Sequence, residues 1–232
     1  MASKLPITYV QNIKSFKSSW RIQVKILHIW KHFAFTSGES MEMVLVYKEG
    51  RRIHCSIKKQ HLKRYENHLL VGSWKFIEEF NVSNSIGQYR TAKQCYRISF
   101  VKETIVSNSV TMSDSDFLGL VRFSQIHEGI QNQSILCDVL SQIVNMGQLS
   151  TMHVNNKEAK KIDFELRDER DMRLSCTLWG TFADQIVQTT SNTETEKLPD
   201  DGLALTLLES KPIKESGEDR GLLEPVSYGH GC

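Results

Sequence analysis

RLSCTLWGTFADQI, residues 173–186, decides how the rest of the chain is read. Successive side chains of a strand point to opposite faces of its sheet. Leu174, Cys176 and Leu178 therefore share one face, and Arg173, Ser175, Thr177 and Trp179 share the other. The apolar trio turns inward, which leaves Trp179 beside a cation and two hydroxyls. Glycine follows at once, and TFADQIVQ then reads as a short helix. A large aromatic presented on the polar side of a strand needs a reason.

Upstream, KKIDFELRDERDMRLSCTLWG (160–180) reads as two strands joined at RDERD, with Ile162, Phe164 and Leu166 facing in. SILCDVLSQIVNMG (134–147) reads as a long, bent strand before them. Downstream, SNTETEKLPDDG (191–202) is polar and loose, GLALTLLES (202–210) is a fourth strand, and GLLEPVSYG (221–229) is a weak fifth.

The same order occurs once before. WRIQVKILHIW (20–30) alternates Trp20, Ile22, Val24 and Ile26 against Arg21, Gln23 and Lys25. MEMVLVYKEGRRIHCSIKK (41–59) reads as two strands meeting at KEG. The second of these sets Ile53, Cys55 and Ile57 against Arg52, His54, Ser56 and Lys58. QHLKRYENHLLVG (60–72) reads as a short helix ending near Gly72. SWKFIEEFNV (73–82) and CYRISFVKETIV (95–106) complete five strands, and TMSDSDF (111–117) reads as a linker or a helix cap.

Strand, strand-turn-strand, helix, strand, strand thus occurs twice. This predicts an all-β chain of two tandem five-stranded OB-fold barrels, over residues 1–108 and 109–232. The short, irregular tail leaves open whether the second barrel is complete.

The bulk numbers agree with a folded chain. A hydrophobic fraction of 40% and a charged fraction of 24% are ordinary for globular proteins. No run approaches the roughly 18 consecutive apolar residues of a membrane span. The start, MASKLPITYVQNIK, lacks the pattern of a signal peptide. Five scattered cysteines without a CxxC pair read as free thiols of a reducing compartment, cytosol or nucleus. Residues 1–105 hold 18 Lys and Arg against 7 Asp and Glu, and the remainder holds 11 against 20. The basic half is the expected face for an anionic partner.

Both halves resemble the large subunit of replication protein A, particularly the plant replication-factor-A-like proteins. WRIQVKILHIWK, GSWKFIEEFNVSNSIGQYRTAKQCYRISF and ETIV carry the resemblance in the first half, and EAKKIDFELRDERDMRLSCTLWGTFADQI carries it in the second. It covers residues 20–189. The resemblance implies tandem barrels that bind single-stranded DNA, with the tryptophan of TLWG, here Trp179, stacked on a base. That answers the question Trp179 raises, since an aromatic on a polar face can be a platform for a base. The alternative is a tryptophan that covers the TFADQI helix or the barrel end.

The resemblance also implies an aromatic on the first barrel's fourth strand. It falls on Phe76, which alternation places on one side with Trp74 and Phe80, at least two of the three being expected in the core. Another implied aromatic, on the second strand, falls near Met41, which supplies no π-face. Tyr89 and Tyr96 match further aromatic positions, Tyr96 as core. The second barrel's closing hairpin, where the family has one more aromatic, reads KESGEDR (214–220). Arg51, Arg52, Lys58 and Lys59 in the first half, and Lys157, Lys160 and Lys161 in the second, are candidate phosphate contacts.

The function implied is sequence-tolerant binding of single-stranded DNA, with RNA not distinguished from it, in replication, repair or recombination in the nucleus. Other replication protein A subunits or repair proteins are the implied partners. A protein-interaction scaffold with weak or no nucleic-acid binding is the alternative, since fold alone does not set function. An enzyme is not expected, because no GxxxxGK[ST], GxSxG or HExxH string occurs. Neither a cofactor nor a metal is expected: the cysteines form no zinc-like quartet, and His28 and His32 have no evident third ligand.

Overall fold

Runs of β-branched and aromatic residues, broken by polar turns, make strand the dominant regular element among the described residues. The structure is a computed structural model that describes residues 5–15, 17–34, 38–85, 90–132, 134–154, 157–193, 203–207 and 226–229. It divides into two compact units, Met1–Leu118 and Gly119–Cys232. Among the described residues no helix is long and apolar enough to cross a membrane.

The first unit contains β1 (Arg21–Ala34), β2 (Gly38–Val46), β3 (Arg52–Lys58), α1 (Lys59–Tyr65), β4 (Trp74–Glu78), β5 (Asn81–Asn84), β6 (Tyr96–Ser99) and β7 (Ile105–Asn108). The sheet order is β5-β6-β3-β2-β1-β4-β7. Since β5 continues β4 and β7 continues β6 along the chain, the order closes on itself as a five-stranded barrel. The closing contact is the parallel pair β3–β6, and every other pair is antiparallel. This is the arrangement of the OB-fold, with α1 between the third and fourth strands.

The fourth and fifth barrel strands are each interrupted, at neighbouring points. Glu79 has a φ of 54°, and strand 5 turns between Phe100 and Ile105. Thr104, fully buried, joins the two bends: its hydroxyl donates to the Glu79 carbonyl at 2.7 Å and accepts the Val101 N–H at 2.9 Å. The Glu79 bend changes which residues face in. Ile77 and Phe80 both reach the core, whereas Trp74 and Phe76 lie on the opposite side of β4. The expectation that Trp74, Phe76 and Phe80 share a side is therefore corrected, because unbroken alternation does not survive a left-handed residue.

The barrel core joins Ile22, Val24 and Ile26 to Met43, Leu45, Ile53, Cys55, Ile57, Ile77, Phe80 and Ile98. Leu62 and Tyr65 of α1 cap one end, and the Tyr65 hydroxyl donates to the Thr104 carbonyl at 2.7 Å. The helix stops at Tyr65, short of the expected Gly72. Leu69 still reaches the core, but from the turns that follow. Helical spacing over Leu62, Tyr65 and Leu69 is thus satisfied without a helix of that length.

The second unit contains α2 (Phe123–His127), β8 (Cys137–Met146), β9 (Ser150–Val154), β10 (Lys157–Arg167), β11 (Arg173–Trp179), α3 (Thr181–Thr193), β12 (Leu203–Leu207) and β13 (Val226–Gly229). Its sheet order is β11-β10-β8-β12-β13, with β9 pairing the first half of β10. Barrel strands 3-2-1-4-5 are all present. Among the described residues no pair joins β11 to β13, the contact that would close the ring. Gly147 lets β8 leave the sheet next to β10: a Cβ there would stand 2.9 Å from the Asp163 carbonyl oxygen. The core is Phe123, Val139, Ile162, Phe164, Leu166, Leu178, Ala183 and Ile186. β9 and α2 were not foreseen from the sequence.

Cys55, Cys95, Cys137 and Cys176 are free thiols, and only Cys95 of these is exposed. Burial pushes the Cys55 thiol well up, and burial, helped by nearby Cys137, pushes Cys176 up to about 12. The nucleophile is the thiolate, so Cys55 and Cys176 are expected to stay silent towards a thiol reagent at neutral pH. Cys95 should react at once, and Cys55 only after unfolding. Mass mapping of the labelled sites checks this, and prompt labelling of Cys55 in the folded protein would contradict the placement of β3.

Candidate nucleic-acid interface

Residues directly opposite each other on paired strands present side chains to the same face. The outer face of the first barrel can therefore be read across its strands. On β1, Arg21, Gln23 and Lys25 stand opposite Glu78, Phe76 and Trp74 of β4. The β1–β2 register shifts between Ile26 and His28, and after this bulge His28, Trp30 and His32 stand opposite Val44, Glu42 and Ser40. These in turn oppose His54, Ser56 and Lys58 of β3, and Val46 opposes Arg52.

The centre of this face holds an aromatic pair. Trp30, half-buried, stacks on the His54 ring with centroids 6.1 Å apart and planes 3° from parallel. His54 Nε2 lies 2.7 Å from Glu42 Oε2, and the Ser40 hydroxyl donates to the other Glu42 oxygen at 2.6 Å. Arg97 on β6 reaches the Ser56 hydroxyl at 3.1 Å. The arrangement offers a flat ring, a fixed carboxylate acceptor and a guanidinium on one surface.

Phe76 also lies on this face, half-buried, with the Arg21 guanidinium 4.3 Å from its ring centroid. Arg21 is paired with Glu78 at 3.3 Å. One side of the Phe76 ring is thus covered by a cation held in place. Met41, near which the resemblance implies an aromatic, is buried in the core; it lies on β2 one residue out of phase with the outer face. Tyr96 is half-buried and packs against the core. Tyr89 and the KESGEDR segment lie outside the described residues.

The cations of the first barrel divide into two kinds. Among the described residues Arg51 and Lys58 have no ion-pair partner, and both are exposed. Lys59 is paired with Glu39 at 3.0 Å, and Arg52 donates to the Phe117 carbonyl at 2.8 Å.

In the second unit, β11 delivers Trp179 as its sequence implies. Leu178 packs into the core while Trp179, half-buried, is on the other face opposite Lys161 of β10. The Lys161 ammonium is 5.8 Å from the Trp179 ring centroid. Gly180 then turns the chain with a φ of 59°, which favours glycine. Its N–H donates to the Lys160 carbonyl at 2.9 Å, and α3 begins on the next residue.

The rest of this face is ionic and internally matched. Asp163 accepts from Lys161 at 2.8 Å and from the Thr177 hydroxyl at 2.5 Å. Those two bonds, the one from Lys161 foremost, hold its carboxyl below the usual carboxylate range. Arg173 is paired with Glu165 at 2.7 Å. On the opposite face of β10, Lys160 is paired with Asp184 of α3 at 2.7 Å. Lys160 and Lys161 therefore already have carboxylate partners. The side chain of Lys157 lies outside the described residues.

The family model described as "Domain of unknown function DUF223" matches residues 11–129, about half of the chain and all of the first barrel. The chain belongs to the DUF223 family. This DUF223 protein is similar to the replication protein A 70 kDa DNA-binding subunit of Drosophila melanogaster, at 23% identity over 182 residues, 74% of this chain and 30% of that subunit. The subunit of the same name from Xenopus laevis is 22% identical over 197 residues, covering 79% and 31%. The chain spans about a third of the length of these relatives. A solved structure of a replication protein A heterotrimer bound to ssDNA superposes with a TM-score of 0.61 at 18% identity, over 86% of this chain and 46% of that one. At that identity the likeness establishes the fold.

Sequence reading of the DUF223 chain missed Trp30. Strict alternation from Trp20 places Trp30 on the core side, and the bulge at Leu27 moves it outward. The signal available was the adjacent apolar pair Ile26–Leu27, which breaks the alternation, followed by His28 and His32 in phase with Trp30. Bulges re-aim side chains in this way.

Proposed function

We propose that the protein binds single-stranded DNA with little sequence preference, as a non-catalytic module in replication, repair or recombination in the nucleus, alongside other subunits or repair proteins. The observation that carries this reading is the placement of Trp30 and Trp179 on hydrophilic outer strand faces of OB-fold units, each next to polar or cationic groups. Buried aromatics stabilise a core, whereas a half-buried one on a polar face can serve as a platform for a base. Base stacking is worth roughly 1–3 kcal/mol per base and tolerates any base. Arg51, Arg52 and Lys58 would contact phosphates, and Phe76 and Tyr89 would add stacking surface. The names of the similar proteins, a DNA-binding subunit and an ssDNA-bound heterotrimer, support the same reading.

The second unit favours a subordinate role. Lys160 and Lys161 must leave Asp184 and Asp163 to bind phosphate, so their net gain is smaller than their charge implies; in the first unit the same holds of Lys59 and Glu39. An acidic unit with matched charges is also suited to a protein partner, and this observation keeps the scaffold reading for that unit.

The test is fluorescence titration of the whole chain with a 30-nucleotide single strand at several salt concentrations. Tryptophan quenching that saturates is expected, with log K falling against log salt by about 0.7 per phosphate contacted. Competition by RNA and by duplex of the same length then ranks the ligands. Absence of quenching and of binding at low salt would leave the scaffold reading standing.

A further inference from the structure

The polar stretch TMSDSDF (111–117) reads as a linker or a helix cap, yet it lies along the outer face of the first barrel. Trp74 of β4, Lys25 of β1, Val46 of β2 and Arg52 of β3 form one row across four strands. Ser113, Ser115 and Phe117 cross that row at two-residue intervals. The Trp74 indole N–H donates to the Ser113 carbonyl at 3.2 Å, the Lys25 ammonium to the Ser115 carbonyl at 2.7 Å, and Arg52 to the Phe117 carbonyl at 2.8 Å. The Phe117 ring packs edge-on against Trp74, with centroids 6.1 Å apart, and lies 5.7 Å from the Lys25 ammonium.

This contact determines what the barrel exposes. Trp74 is on the side of β4 away from Ile77, so the barrel core does not cover it, but its exposure is 5%. Lys25 is 9% exposed, a low value for a lysine on an outer face. The segment is held by turns of its own: the Ser113 hydroxyl accepts the Ser115 N–H, and the Ser115 hydroxyl accepts the Phe117 N–H. Phe117 takes a φ of 53°, which a bulky side chain rarely adopts. Asp114 and Asp116 are exposed between the contact residues.

The pattern copies a single strand of nucleic acid in its essentials. Oxygen acceptors recur at regular intervals on a lysine and an arginine, an aromatic ring lies against a tryptophan, and anionic groups line the outside. We propose that Trp74, Lys25 and Arg52 form a further base-and-phosphate subsite, which the chain itself occupies through Ser113–Phe117. Single-stranded nucleic acid gains this subsite by displacing the segment. The carbonyls give way to phosphate oxygens and the Phe117 ring to a base. The inference rests on the reading of this face as the nucleic-acid interface.

Phe117→Ala in the full chain tests it, with a fluorescently labelled 30-nucleotide oligothymidylate as the probe. The variant is expected to bind about 5- to 20-fold tighter than wild type and to occlude a longer stretch of strand. Folded Phe117→Ala that binds equally or more weakly, while wild type binds, overturns the subsite and leaves the proposed function intact. If neither protein binds the strand, both readings fall. A measurement on wild type covers the case of a misfolded variant. Amide hydrogen exchange at Ser115 and Phe117 should speed up when oligothymidylate is added, and unchanged or slower exchange in the bound protein overturns the displacement.

Discussion

Replacing Phe80 by alanine is expected to destabilise the first unit by about 3–5 kcal/mol, the usual cost of emptying a buried phenylalanine site. Phe80 is fully buried and stands just after the bend at Glu79. Its backbone N–H is fixed to the Ser18 carbonyl at 3.2 Å, and Thr104 fastens the bend beside it. The backbone therefore has little freedom to collapse into the cavity. A domain of this size has about 5–15 kcal/mol of stability in all, so the variant should lose a large share of it. Urea unfolding followed by near-ultraviolet circular dichroism measures the loss. A shift below about 1 kcal/mol would mean that Phe80 is not enclosed and that the strand does not bend at Glu79. Trp74 and Phe76 provide the contrast, since they lie on the other side of the same strand and outside the core.

Truncation of the two platform tryptophans should produce the largest effects on binding. Trp179→Ala and Trp30→Ala are each expected to weaken single-strand affinity by about 1–3 kcal/mol, which is roughly 5- to 150-fold in Kd. Neither change opens the core, because Leu178 and the inward residues of β1 stay in place. Trp30→Ala also removes the stacked neighbour of His54. Circular dichroism and thermal unfolding should show both variants folded. The salt dependence discriminates further: loss of a stacked base lowers affinity at every salt concentration and leaves the slope unchanged, whereas loss of a phosphate contact reduces the slope. Folded variants with wild-type affinity would remove stacking from the proposed function. The effects in the two units should add if the two platforms act independently.

Much of the fold was legible because its signals are local. The alternation in RIHCSIK sets Ile53, Cys55 and Ile57 inward, and β3 has that arrangement. The strand-turn-strand of 160–180 and the glycine after Trp179 led directly to β10, β11 and α3. Trp179 itself stands where its phase in the strand requires, opposite Lys161. The unforeseen β9 pairs beside β8 along the extended β10, and no alternation of its own marks it.

Charge could be counted from the sequence but not assigned. Eighteen cations in residues 1–105 identify a basic half. Only the folded chain shows that Lys59 faces Glu39, that Arg52 faces a carbonyl, and that Arg51 and Lys58 stand exposed. In the second unit Lys160 and Lys161 read as a basic pair, but successive strand residues point to opposite faces. One therefore meets Asp184 of α3 and the other Asp163 of its own strand.

The sequence by itself determined where most strands run and the outward face of Trp179, because a period of two is a property of the backbone and needs no distant partner. Tertiary structure decided the cases in which that period is interrupted. The bulge at Leu27 turns Trp30 outward, the left-handed Glu79 separates Phe80 from Phe76, and the contact of Phe117 buries Trp74 on a face that alternation alone leaves open. Each depends on residues far apart in the chain meeting across strands, and no local pattern carries that information.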